Sequence, residues 1–283
     1  MQKYVNKCEV MVNAVQRSGH HAFILELLAA TDSHLFLNCV KGERIYFPRF
    51  IRANPADRFV TDMQLSLEAE MSDQKAEKKL VVYNTELCLT DEALAIFRSP
   101  VKQAALGESE RKFFVTWLRD PLNNMASFFN RVGAFRAAER RKLGISIAQD
   151  DKIIKAKKIW CDHWAAIRKG EDHIGLIFNL WMRDDAYRAD FFARLGLSPP
   201  PRASETSRWG VGSSFAKYEH GQAAPEANDL ETRCDRFMRN PQFHEVFADE
   251  PFAEAIDSFF AAFPQLASLE ERWARLRMAS LGR

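Results

Sequence analysis

The chain has 283 residues, 47% hydrophobic and 28% charged, the composition of a globular protein long enough to bury a sizeable core. Its 40 basic and 38 acidic side chains leave a net charge of +2, which argues against nucleic acid or an anionic membrane surface as a partner. Five cysteines, odd in number, widely spaced and without a C-x-x-C pair, argue against a disulfide framework or a zinc site. No signal-peptide pattern opens the sequence, and no run reaches the ~20 apolar residues of a spanning helix. A cytoplasmic protein without a transmembrane segment is therefore expected.

In chain order, Cys8 to Val15 reads as a buried strand, because its apolar residues run almost without interruption. The polar turn Gln16-Arg17-Ser18-Gly19-His20-His21 follows, then a helix with Phe23, Ile24, Leu27 and Leu28 at helical spacing. Residues 31 to 78 carry prolines and many charges and are expected to form loops with short helices. Leu80 to Tyr83 predicts a second strand, leading into Asn84-Thr85-Glu86. Phe113 to Leu118 predicts a third, ending at Arg119-Asp120-Pro121. There Asp120 as N-cap and Pro121 in the first turn mark a helix start running to about Arg140. A further helix is expected over Asp151 to Lys169, a fourth strand over Ile174 to Asn179, and a helix to about Leu195. After Pro199-Pro200-Pro201 comes a Gly/Ser loop, Gly210 to Ser214, and from Asp229 a helical tail with a phenylalanine-rich face.

Strands alternating with helices predict an α/β fold, a mainly parallel sheet flanked by helices, with a helical C-terminal tail. The whole of 1–283 is read as one domain, its core over about 8–215 and its helical extension over about 229–283. Ligands of such sheets sit at the carboxyl ends of the strands, where the loops after the first three strands fall.

Two constellations carry chemistry. The first, Gln16 to His21, fails as a Walker A loop: His20 stands for the lysine and His21 for the metal-binding hydroxyl. What it keeps is a glycine-permitted turn, backbone N–H groups at a helix start and an adjacent arginine, enough to cradle a phosphate without a metal. The second is Arg119-Asp120-Pro121 with Ser127 nearly two turns into the helix. A strand-end guanidinium and a helix hydroxyl can converge on one anion, and arginine pairs two phosphate oxygens at once.

Together, strand–R-S-G–helix followed by strand–R-D-P with a serine eight residues after the arginine resembles the sulfotransferases. The resemblance spans residues 8 to 215 and implies a P-loop NTPase-like three-layer sandwich. It also implies binding of 3′-phosphoadenosine 5′-phosphosulfate (PAPS) without a metal. Arg17, Ser18, Gly19, His20 and His21 would then hold the 5′-phosphosulfate, and Arg119 and Ser127 the 3′-phosphate. Gly212, Ser213 and Ser214 would belong to a loop closing over the nucleotide. The His20-His21 pair departs from the two hydroxyl residues that many members carry, and Ala22 from an aromatic beside the adenine.

The implied reaction moves a sulfuryl group to a hydroxyl acceptor, of carbohydrate or glycolipid class. Arg17 is the candidate for stabilising the leaving oxygens, and His20 or His21 for hydrogen bonding to the transferring group. Glu86, just past the second strand, is the candidate general base. Two alternatives remain at this stage: a P-loop kinase or NTPase acting on ATP, and a non-catalytic nucleotide-binding or scaffold protein on the same fold. Part of the phenylalanine-rich face could bury a second subunit in a homo-oligomer.

Overall fold

The computed structural model describes residues 6–37, 40, 51–53, 78–131, 146–170, 173–202 and 230–281. Six strands form one sheet in the order β3-β2-β4-β1-β5-β6. They are β1 (Asn6–Ala14), β2 (His34–Leu37), β3 (Ile51–Ala53), β4 (Lys78–Glu86), β5 (Ser109–Leu118) and β6 (Ile174–Ile177). All neighbouring pairs are parallel except β2 with β3, which is antiparallel. The expected α/β class with a mainly parallel sheet is what the chain adopts.

β1 lies at the centre, and its residues 8 to 14 alternate between faces while all staying buried. Val10 and Val12 pack into one apolar cluster with Phe23, Leu27, Trp117 and Trp181. Met11 packs on the other face with Val81, Tyr83 and Ile96. A strand covered on both faces has no polar side to alternate with, hence the continuous apolar run. The covering helices are α1 (His20–Ala29), α2 (Thr90–Phe97) and α3 (Pro100–Leu106) from the first half of the chain. From the second half come α4 (121–131), α5 (Asp151–Lys169), α6 (Phe178–Arg183) and α7 (Asp185–Leu195).

A third cluster joins α4 and α5 to the C-terminal helices α8 (Pro241–Val246), α9 (Glu250–Ala262) and α10 (Ala267–Leu281). Trp160 meets Phe252 and Phe259 edge to face, at centroid distances of 5.7 and 5.5 Å, a geometry that aligns ring edge with ring face. The phenylalanine-rich face is thus buried within this chain: Phe243, Phe247, Phe252, Phe259 and Phe260 are all core residues.

Several boundaries differ from expectation. β4 does not stop at Tyr83 but pairs with β1 as far as Glu86, so Glu86 ends a strand and does not follow one. The fourth strand stops at Ile177, and Phe178 and Asn179 open a helix. Residues 34–37 and 51–53, expected in loops, form the outer strands, and α2 and α3 were not anticipated. The helix starting at Pro121 is described to residue 131; its expected continuation to Arg140 lies outside the described residues, as do Gly212, Ser213 and Ser214. Among the described residues no helix is long and apolar enough to cross a membrane.

Two buried ion pairs tie the layers together. Glu9 on β1 is fully buried and receives hydrogen bonds from Tyr83 Oη (2.6 Å), Ser109 Oγ (2.9 Å) and the Lys102 ammonium. Glu26 on α1 accepts from Arg188 Nε at 2.8 Å and Trp181 Nε1 at 3.1 Å. A paired cation and further hydrogen bonds of this kind are what make a buried carboxylate tolerable.

Candidate functional site

From β1 the chain leaves toward β2 on one side of the sheet, whereas β5 leads to β6 on the other. The diverging connections open a crevice at the carboxyl ends of β1 and β5, the place where open α/β sheets bind ligands. Register brings three strand ends level there: Ala14 pairs with Glu86 of β4 and with Trp117 of β5.

The loop after β1 is a tight turn closed by Ser18 N–H donating to Val15 O at 3.2 Å. Its third residue is Arg17, with φ +69°, a turn position that favours glycine or asparagine. A left-handed backbone costs a residue with a Cβ ~1–2 kcal/mol, so arginine is held here against its own preference. Gly19 follows with φ +83°, and a Cβ on it would lie 2.6 Å from the Phe178 ring. Glycine is therefore required twice over at the start of α1, by backbone angle and by space. The turn is fastened from outside by Trp117 Nε1 donating to Ser18 O (3.1 Å) and Asn124 Nδ2 donating to Gln16 O (3.1 Å).

His20 and His21 open α1 with ring centroids 4.2 Å apart. His20 Nε2 stands 3.0 Å from Glu86 Oε1, and His21 Nε2 stands 4.0 Å from the same oxygen. The other carboxylate oxygen accepts from Gln16 Nε2 at 3.0 Å. Burial alone would raise the Glu86 carboxyl; the His20 hydrogen bond, the charges of His20 and His21 and the Gln16 amide outweigh it, holding it at about 2. Glu86 thus has both oxygens engaged and little basicity, which fits positioning of the histidines better than abstraction of a proton.

The Arg17 side chain is held below its usual pKa by burial and by the nearby Arg131, with Glu86 acting the other way. Its Nε is buried without a hydrogen-bond partner among the described residues. Two guanidiniums at one loop, with a donor left over, describe a place short of negative charge.

On the β5 side Arg119 is 1% exposed. Its guanidinium lies over the Phe178 ring, 4.8 Å from the centroid, and donates to Leu230 O, while its Nε stands 3.7 Å from Asp120 Oδ2 and lacks a hydrogen-bond partner among the described residues. Burial lowers its pKa, opposed chiefly by Asp120. Asp120 caps α4 as expected, accepting from Asn123 N–H at 2.8 Å. Ser127 is buried as well; its hydroxyl donates to Asn123 O at 2.9 Å and receives Arg233 Nη1 at 3.5 Å.

Arg119 and Ser127 are thereby both bordered by one C-terminal segment, residues 230–234, which also docks through Asn123 Nδ2 to Glu231 O and Cys234 N to Asn123 Oδ1 (both 2.9 Å). With that segment in place both side chains are buried, each 1% exposed. The sequence reading missed Phe178 and Arg233 as parts of the site, and named Gln16 and Asn84 only as neighbours of the residues it singled out. Asn84 Nδ2 sits 3.3 Å from His20 Nε2. Phe178 and Arg233 belong to no short motif; only the fold brings them to the site.

No protein-family model matches the chain, and no curated protein matches it. Among solved structures, it overlaps a sulfotransferase from Alicyclobacillus acidocaldarius with a TM-score of 0.35 at 15% identity, over 84% of this chain and 94% of that one. A sulfotransferase domain from the curacin biosynthetic pathway overlaps with a TM-score of 0.31 at 10% identity, over 64% of this chain and 66% of that one. At such TM-scores neither overlap bears on function, which rests on the residues themselves.

Proposed function

We propose that the chain is a sulfotransferase that binds PAPS across the β1/β5 crevice and transfers its sulfuryl group to a hydroxyl acceptor of carbohydrate or glycolipid class. The observation that carries this reading is the pair of arginines, Arg17 and Arg119. They follow adjacent strand ends at the switch point; Arg17 Nε is buried with no hydrogen-bond partner among the described residues, and Arg119 Nε is buried with only the Asp120 carboxylate, at 3.7 Å, beside it. A buried donor left unpaired costs ~1–3 kcal/mol, so both positions are suited to an oxyanion, and a nucleotide with phosphates at two ends offers two.

When bound, the donor supplies an activated sulfuryl group attached to a phosphate that leaves as an anion. Arg17 and the N–H groups at the start of α1 present positive charge to that end of the nucleotide, with His20 and His21 beside them. Glu86 fixes the histidines through its Oε1. Arg119, Ser127 and Arg233 supply cationic and hydroxyl groups for the 3′-phosphate once residues 230–234 shift. The loop has no lysine or hydroxyl where Mg-ATP handling needs them, which favours this donor over ATP.

Thermal unfolding of chelator-treated protein tests the reading. Adenosine 3′,5′-bisphosphate at 100 times its Kd stabilises the native state by ~2.7 kcal/mol, and a rise in Tm is expected. A rise with Mg-ATP alone would replace the reading by a kinase or NTPase; no rise with either would leave a protein without nucleotide binding.

A further inference from the structure

We propose that His20, His21 and Glu86 form a site for one borderline divalent metal ion, Zn²⁺ being the best fit, with the remaining coordination position left to water or an oxyanion. Among the described residues these three are the group whose ligand atoms gather, all within 4.8 Å of one another. Two imidazoles and one carboxylate are a ligand set that suits zinc and related ions and leaves an open position.

The distances fit. A tetrahedral ion with bonds of ~2.0–2.1 Å separates its ligand atoms by roughly 3.3 Å. Glu86 Oε1 lies 3.0 Å from His20 Nε2 and 4.0 Å from His21 Nε2, so modest side-chain rotation centres an ion between them. The ligands also stand on regular elements: the first two residues of α1 and the last of β4, anchored by the pairing of Glu86 with Ala14.

Neighbouring groups orient the ligands in the way metal sites require. Ser18 Oγ lies 3.4 Å from His20 Nδ1, leaving Nε2 turned toward the carboxylate and toward Asn84 Nδ2 at 3.3 Å, whose place at that nitrogen the ion would take. Gln16 Nε2 holds Glu86 Oε2 at 3.0 Å and leaves Oε1 for the ion. Side-chain exposures of 3%, 17% and 14% for His20, His21 and Glu86 place the cluster at the edge of the core, dry on one side and reachable from the other.

The start of α1 and the Arg17 guanidinium oppose a bare cation. The carboxylate offsets part of that charge, and an oxyanion in the open position offsets the rest. A metal there would take over the charge-stabilising part otherwise filled by the histidines. The inference needs only these three side chains and stands apart from the sulfuryl-transfer reading, which bisphosphate binding to metal-stripped protein tests on its own.

The test is titration of the chelator-stripped full chain, in buffer containing sulfate, with Zn²⁺ by calorimetry and with Co²⁺ by visible absorption. One equivalent should bind with a Kd of ~1 µM or tighter, with the intense d–d bands of a four-coordinate ion and no thiolate charge-transfer band. His21→Ala and Glu86→Gln should each weaken binding at least ~tenfold, while His163→Gln leaves it unchanged. His21 is partly exposed, so its variant is the one that keeps the fold, checked by metal-free Tm. Absence of stoichiometric binding overturns the proposal. So does a thiolate band, which would place the ion at Cys88 or another cysteine, and so does unchanged affinity in His21→Ala.

Discussion

The ring of Phe178 joins the two halves of the site: it carries the Arg119 guanidinium 4.8 Å from its centroid, and its edge fills the space beside Gly19. β6 hands over to α6 at this residue, so the loop after β1 and the arginine after β5 are held by one side chain from the start of a helix. The contact explains why the helix start tolerates nothing larger than glycine.

Gly19→Ala should therefore destabilise the fold for two reasons. The φ of +83° strains any residue with a Cβ, and that atom would meet Phe178 at 2.6 Å. A loss of ~2–5 kcal/mol in urea unfolding is expected, from strain of ~1–2 kcal/mol and overpacking of ~1–3 kcal/mol. Adding Phe178→Leu should recover the packing part and leave the backbone part.

Arg17→Gly should separate stability from binding. Glycine accepts the φ of +69° without strain, so the Tm is expected to hold or rise slightly. The same variant should lose most of the bisphosphate-induced rise in Tm. Equal loss of both would mean that the arginine serves the fold alone.

Arg119→Lys keeps the charge and removes the planar fork. Affinity for the bisphosphate should fall at least ~tenfold, since two parallel donors cannot be reproduced by an ammonium. Because Leu230 O loses a buried donor, a stability loss of ~1–3 kcal/mol is expected alongside. Binding and stability, measured separately, should not scale together.

Stability should depend on pH through His163. This residue is fully buried in α5; burial pulls its pKa down to about 4, with the Cys88 carbonyl and Asp162 raising it and His173 lowering it. A folded pKa below the unfolded value means that the unfolded chain binds the extra proton. Stability from this residue is complete above ~6.5 and falls as pH drops toward 4, by ~1.4 kcal/mol per pH unit and about 3 kcal/mol in all. Urea titrations across that window should show the slope, and His163→Gln should flatten it by close to one proton.

Lys102→Met should cost ~3–5 kcal/mol, because Glu9 would stay buried with its charge uncompensated. Glu9→Gln together with Lys102→Met should recover much of that loss. A single variant costing under ~1 kcal/mol would show that the pair behaves like an exposed one, against its burial.

Much of the fold was legible in the residues. The apolar run of β1, the strand ending at Leu118 and the Asp120–Pro121 helix start depend on neighbours in sequence, and α5 spans the expected Asp151–Lys169. The outer strands were not legible. His34–Leu37 has four residues and Ile51–Ala53 three, too short for periodicity to register. Their pairing is decided by the edges they meet, β4 for His34–Leu37 and then β2 for Ile51–Ala53, not by their own composition.

The site divides in the same way. The sequence by itself determined that Gln16 to His21 forms a tight loop before a helix and that Arg119 closes a strand, since turn chemistry, helix capping and apolar runs are local. Only the tertiary structure decided that Glu86 ends β4 level with Ala14 and reaches both histidines, that Phe178 lies under Gly19 and Arg119, and that residues 230–234 cover Arg119 and Ser127. These contacts join segments 59 to 159 residues apart, as Arg119 with Phe178 and Gly19 with Phe178 illustrate. Burial of the shared apolar faces chooses such partners, and that choice belongs to the whole chain at once.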